Sequence, residues 1–262
     1  MKKITTHLMR ILCLTRPTRS LSIIIINLFK NKKNDIQFQN DLKIIHDKES
    51  ILKEINDIGF SSNIDIPKEL LNEIISYAKN AIFKEQIGDN SFSIDYLNPV
   101  NPSNSLWYGN HEIMNDCNAL QKIIFNKDIL NICEEYFGSK PRLIGSHCWW
   151  SFPPDDIEIH HQYGFHYDID SFKFLKIFIY LNNVDIETGP HEILIGTHKK
   201  KSFKEKLNRR LSDAAVKDSD KYDNSVCKTG PKGTMFFEDT FSYHKGNTPK
   251  KPRLMLQIEY TI

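Results

Sequence analysis

The chain has 262 residues, 40% hydrophobic and 26% charged, with a net charge of +2 at neutral pH. That length and balance suit a single globular domain with an extension, and so small a net charge argues against a nucleic-acid binder. Cys13, Cys117, Cys133, Cys148 and Cys227 are odd in number and form no C-x-x-C pair, so neither a zinc knuckle nor a disulfide framework is signalled, and reduced thiols in a cytoplasm are expected. There is no G-x-G-x-x-G and no G-K-[ST], which removes the dinucleotide and P-loop readings.

Residues 1–45 read as a basic N-terminal extension, helical or poorly ordered, ahead of a domain over 46–262. Lys2, Lys3, Arg10, Arg16, Arg19, Lys30, Lys32 and Lys33 surround two apolar patches, Leu8–Leu14 and Leu21–Phe29. Neither patch approaches the roughly 18–20 apolar residues that span a bilayer. No small-residue cleavage site follows them, which argues against a secretory leader. The expectation is no transmembrane segment, with residues 1–40 lying on the protein or making peripheral contact with an anionic membrane surface.

Glu49–Ile58 carries apolar residues at helical spacing and is closed by Gly59. Asp65-Ile66-Pro67 opens a second helix, expected to run to about Phe83 with Leu70, Leu71, Ile74, Ile75, Ala78 and Ile82 inward. Residues 86–110, rich in Asn, Pro, Gly and Ser, read as a long loop. Asn118–Phe137 reads as helix again, up to Gly138. After Pro141 the character changes. Leu143–Phe152, Phe172–Val184, Glu192–Ile195, Gly233–Glu238 and Arg253–Ile262 are β-branched and aromatic, separated by turns such as Glu187-Thr188-Gly189-Pro190. Helices followed by many strands imply a mostly β protein: an antiparallel sandwich or jelly roll with the helices packed outside. Lys199–Arg210 is a basic run, read either as a solvated helix or as a lid attracting an anionic substrate group.

His166 and Asp168 stand two apart, and on an extended strand such residues point to the same face. A second imidazole would complete a 2-His-1-carboxylate triad, which leaves positions on Fe(II) open for substrate chemistry. His160, His161, His191, His198 and His244 are the candidates, and His244 is favoured because a jelly roll pairs an early strand with a late one. Arg253, nine residues further on, offers a planar fork for a carboxylate.

The run His166-Tyr167-Asp168, then Phe174–Asp185, Glu187-Thr188-Gly189-Pro190, Gly196-Thr197-His198-Lys199, and finally His244-Lys245-Gly246, Pro249 and Arg253, resembles the phytanoyl-CoA dioxygenase family. The resemblance is strong over 158–262, weaker over about 50–157, and does not reach residues 1–45. It implies a double-stranded β-helix of cupin type and an Fe(II)- and 2-oxoglutarate-dependent dioxygenase that consumes dioxygen. It implies His166, Asp168 and His244 as iron ligands and Arg253 as the anchor of 2-oxoglutarate, with Lys176 as a second contact. With Asp168 in place no ligand position is left for a halide, so hydroxylation is expected over halogenation. The expected partner is a small organic substrate or biosynthetic intermediate, walled by the loop 86–110, Trp149-Trp150 and the basic segment. The alternative is a jelly-roll ligand-binding protein without turnover.

Overall fold

The structure, a computed structural model, describes residues 8–13, 15–29, 38–40, 42–62, 64–103, 105–154, 164–219 and 224–262. His160 and His161 therefore lie outside the described residues, as do Lys2, Lys3, Lys30, Lys32 and Lys33.

Two antiparallel sheets organise the chain. The larger runs, in spatial order, β1 (Phe60–Ser61), β11 (Met235–Glu238), β7 (Phe174–Tyr180), β13 (Arg253–Thr261), β5 (Arg142–Ser151), β4 (Trp107–Asn110), β2 (Ile82–Glu85) and β3 (Ser91–Ser93). The smaller runs β10 (Ser225–Lys228), β8 (His191–Leu194), β12 (His244–Gly246), β6 (Phe165–His166) and β9 (Arg210–Leu211). Strand alternation divides the larger sheet into two faces. Leu175, Ile177 and Ile179 of β7, with Leu254, Leu256 and Ile258 of β13, pack into the main core beneath the helices Lys48–Ile58, Lys68–Asn80, Asn118–Ile124 and Lys127–Phe137. The other face carries Phe178, Tyr180, Phe236 and Met255, which join Ile193 of the smaller sheet in a separate cluster. Each strand is thus hydrophobic on one side for the helices and mixed on the other, which faces the smaller sheet.

Several elements depart from the sequence reading for identifiable reasons. The second helix ends at Asn80, because Ala81 turns extended and Ile82–Glu85 continues as a strand with Phe83 buried and Ile82 exposed. The stretch 86–110 is not one loop: it contains β3 and β4, and β4 pairs with β5 from Trp107 opposite Ser151 to Asn110 opposite Cys148. Asn118–Phe137 is two helices, because Asn126, fully buried, accepts hydrogen bonds from Asp128 N and Ile129 N and so starts a new one. Within Lys199–Arg210 only Phe203–Leu207 is helical, and Arg210 belongs to β9. Gly59 caps the helix Lys48–Ile58 at φ 83°, where a Cβ would also meet Ser242 Oγ at 2.6 Å.

The N-terminal residues also contribute. Arg16–Phe29 forms a helix whose Ile23 and Ile26 rest on the main core. Cys13 is buried among Phe165, Tyr167, Phe241 and Tyr243, and the Arg19 guanidinium lies 4.0 Å over the Phe241 ring while its Nε donates to Phe172 O. Among the described residues no helix is long and apolar enough to cross a membrane.

Candidate metal centre

His166 and His244 are directly opposed in the β6–β12 pairing, with ring centroids 4.5 Å apart. Beyond His166 the chain keeps alternating sides: Phe165, Tyr167 and Ile169 enter one apolar cluster, while His166 and Asp168 line a cavity between the sheets. The Asp168 N–H donates to Thr240 O at 2.8 Å, tying this segment to the turn before β12. As a result, His166, Asp168 and His244 each offer a ligand atom, and all three atoms lie within 4.8 Å of one another. His191, on β8, enters the same cavity, but its Nε2 lies 2.7 Å from Glu238 Oε2. The His198 Nε2 contacts Asn56 O, away from this cluster.

The two imidazoles are oriented by backbone carbonyls. His166 Nδ1 lies 3.1 Å from Gly164 O, and His244 Nδ1 lies 3.0 Å from Ser242 O. A carbonyl only accepts, so each contact places the proton on Nδ1 and leaves the Nε2 lone pair available. His244 Nε2 is 3.6 Å from Asp168 Oδ2. Burial holds the His244 imidazole down at about 4, against the opposing pull of Glu238, so the ring is neutral at pH 7 and suited to ligation.

Asp168 is held ionised. Burial alone would raise its carboxyl, but the Lys176 ammonium 2.8 Å away, helped by His244 and His166, brings it well below the usual carboxylate range. Lys176 shares a face of β7 with Phe178, the face that strand parity alone left open. Its Nζ lies 2.8 Å from Asp168, 2.8 Å from Asp170 and 3.8 Å from Glu259. Burial works against its charge, yet these three carboxylates outweigh it and hold the ammonium above its usual range.

Arg253, at the start of β13, is buried. One of its Nη groups donates to Gly189 O, and the other lies 3.5 Å from Ser151 Oγ. It passes close over β12, since a Cβ on Gly246 would stand 3.1 Å from Arg253 Nη2. The guanidinium thus lines the same cavity, of about 690 Å³, as His166, Asp168 and His244. A further wall is aromatic: Trp149 stacks on His147 at 4.6 Å, and His147 lies 5.2 Å from His111. Burial, with His111 and Lys176 adding to it, lowers His147 to about 4, so the ring that stacks on Trp149 is uncharged. Arg210, opposite His166 in the β6–β9 pairing, stands at the rim.

Glu238 escaped the sequence reading. It ends an apolar strand, fully buried, and neighbours Lys176 across the β11–β7 pairing. Burial pushes its carboxyl up to about 7 and pushes His191 down to about 3, and the two groups stand 2.7 Å apart. A carboxyl whose folded value lies above its unfolded 4.5 contributes stability that is fully present below about pH 4.5 and lost as pH rises through about 7. Glu238→Gln removes that titrating group. In urea unfolding of chelator-treated protein, the stability of Glu238→Gln relative to the parent is expected to improve by roughly 3 kcal/mol between about pH 5 and pH 8. An identical difference at both pH values would show that the carboxyl does not titrate in this range.

No protein-family model matches the chain, and neither does any curated protein. Solved structures do resemble it. AviO1 from Streptomyces viridochromogenes Tue57 aligns over 82% of this chain and 95% of its own, at 13% identity and a TM-score of 0.54. The non-heme alpha ketoglutarate dependent epimerase SnoN from nogalamycin biosynthesis aligns over 82% of this chain and 80% of its own, at 13% identity and a TM-score of 0.54. HygX from Streptomyces hygroscopicus, with nickel, 2-oxoglutarate and hygromycin B bound, aligns over 81% of this chain and 86% of its own, at 12% identity and a TM-score of 0.52. At such identities the likeness is one of fold: two antiparallel sheets with flanking helices, as in non-heme iron and 2-oxoglutarate-dependent enzymes.

Proposed function

We propose that the chain is an Fe(II)- and 2-oxoglutarate-dependent oxygenase of the phytanoyl-CoA dioxygenase type, hydroxylating a small organic molecule. The observation that carries this reading is the cluster His166, Asp168 and His244, with ligand atoms within 4.8 Å and with Arg253 lining the same cavity. The donor set fits iron: two imidazoles whose Nδ1 atoms face backbone carbonyls, leaving Nε2 free, and one carboxylate held ionised, the combination used by non-heme oxygenases. The two facing sheets are read as halves of a double-stranded β-helix.

In this reading His166, Asp168 and His244 would hold the metal. Bound iron, with 2-oxoglutarate and dioxygen, supplies oxidation of an unactivated C–H bond coupled to decarboxylation of the co-substrate to succinate. Arg253 receives the distal carboxylate of 2-oxoglutarate through its planar fork, and the carbonyl of Gly189 fixes the plane of that fork. Phe178, Trp149 and Met255 keep the interior apolar and exclude water around the reacting groups. Lys176 holds Asp168 ionised and in place rather than taking the co-substrate, because its ammonium is already directed at three carboxylates.

The substrate is proposed to be a ring-bearing biosynthetic intermediate. The stacked rings of His147 and Trp149 offer a flat π surface for such a ring. SnoN is seen with nogalamycin RO bound and HygX with hygromycin B bound.

The test is anaerobic Fe(II) titration followed by oxygen-dependent conversion of 2-oxoglutarate to succinate. Arg253→Met is expected to raise KM for 2-oxoglutarate by about 100-fold while leaving Fe(II) affinity within a few-fold of the parent, since a charge-assisted bidentate pair contributes about 3 kcal/mol. Tight 2-oxoglutarate binding with no succinate formed would favour a ligand-binding protein that has lost turnover. Absence of both metal and co-substrate binding would remove the proposal.

A further inference from the structure

The helix Arg16–Phe29 is covered on one side only. Ile23 and Ile26 rest on the core, and Arg19 is braced against Phe241 and Phe172. On the remaining side Leu21, Ile24, Ile25 and Leu28 are 57%, 55%, 46% and 75% exposed. Their spacing is i, i+3, i+4, i+7, so they form one continuous apolar stripe. Leu8 and Ile11, three apart in the preceding helical turn, are exposed as well. A helix already seated on the protein has no need of a second apolar face for folding, and such a patch marks a contact surface.

Charge identifies what the stripe meets. Residues 1–34 contain eight Lys and Arg and no Asp or Glu, although the whole chain is only +2. Along the sequence, the positive charge is therefore concentrated in the segment that contains the stripe, and the rest of the chain is net negative. Two copies of the chain meeting through this helix would bring like charge against like. Nucleic acid would use the cations and leave Leu21, Ile24, Ile25 and Leu28 in water. An anionic bilayer surface satisfies both features, with leucine and isoleucine entering the acyl boundary and the cations meeting the headgroups. With 14 residues the helix is too short to span a bilayer, which needs about 20.

We infer that the chain docks on anionic membranes through the Leu21–Ile24–Ile25–Leu28 face of this helix, lying parallel to the surface. Cys13 and Arg19 connect the helix to the cluster that carries Tyr167 and Phe241. The docked helix is thus packed against the cavity-bearing body, so docking would set how that body faces the bilayer.

The test is flotation of the full-length protein with vesicles of phosphatidylcholine mixed with phosphatidylglycerol, against vesicles of phosphatidylcholine alone. The protein is expected to float with the anionic vesicles only. It should be released between about 0.1 M and 1 M salt, as the screening length falls from roughly 10 Å to 3 Å. The double variant Ile24→Glu, Ile25→Glu is expected to lower the bound fraction at least about tenfold with an unchanged melting temperature. If that variant does not fold, Leu28→Glu, at the most exposed position of the stripe, should give the same direction of change. Wild-type protein that stays in solution with anionic vesicles overturns the inference. So does a folded variant that floats as well as the wild type. A solution dimer that Ile24→Glu, Ile25→Glu converts to monomers would assign the stripe to a second copy of the chain and equally overturn it.

Discussion

Replacing Asp168 by alanine is expected to lower Fe(II) affinity by more than about 100-fold and to bring succinate formation to background. Outer partners of a metal ligand already contribute 10–100-fold, so removing a ligand itself costs more. Asp168 is the only carboxylate in the cluster of three, and it is poised for ligation: ionised by Lys176, and anchored by its N–H to Thr240 O. The variant should still fold. Lys176 keeps Asp170 at 2.8 Å and Glu259 at 3.8 Å, so the buried ammonium is not left bare. The measurement is anaerobic Fe(II) titration beside a thermal melt. Iron affinity equal to the parent's, in a folded variant, would show that the ligand set lies elsewhere.

Much of this site is legible in the order of residues along the chain. His166 and Asp168 share a face because Tyr167 between them belongs to the apolar cluster on the other side. His244 follows an aromatic strand and pairs with His166, as an early and a late strand of one sheet would. Arg253 opens β13, with Leu254, Leu256 and Ile258 on the face opposite Met255. What escaped is what depends on register between distant strands. Glu238 looks like the polar end of an apolar run; only the β11–β7 pairing places it beside Lys176, and only the packing of the two sheets brings it to His191. Lys176 itself could have faced either way until Phe178 joined the inner cluster. The short strands β3, β4 and β9 carry too few apolar residues to show a period. The basic run Lys199–Arg210 gives no hint that its last residue pairs with His166. Local periodicity encodes which face is buried; it does not encode which neighbour that face meets.

Lys176→Met is expected to cost about 3–5 kcal/mol in stability at neutral pH, the penalty of leaving buried carboxylates without their cation. Asp168 and Glu259, whose side chains are 19% and 10% exposed, carry this cost, whereas Asp170 at 41% is screened by water and adds little. The loss should depend on pH with a definite sign. In the parent, Asp168 titrates below its usual range, so it contributes stability that is present above about pH 4 and lost as pH falls further. Without the ammonium, burial dominates and the carboxyl moves above its unfolded value. Its contribution is then fully present below that unfolded value and lost as pH rises. Glu259, already pushed up to about 7 by burial against the pull of Lys176, moves further the same way. The stability curves of parent and variant should therefore converge towards about pH 4 and separate towards neutrality, as read by urea unfolding across that range. Kinetics distinguish the two roles for this lysine. If it serves Asp168, iron affinity falls with stability while KM for 2-oxoglutarate at saturating iron stays within a few-fold of the parent. If it serves the co-substrate, KM rises and the pH dependence of stability is left nearly unchanged. Its three carboxylate partners favour the first outcome.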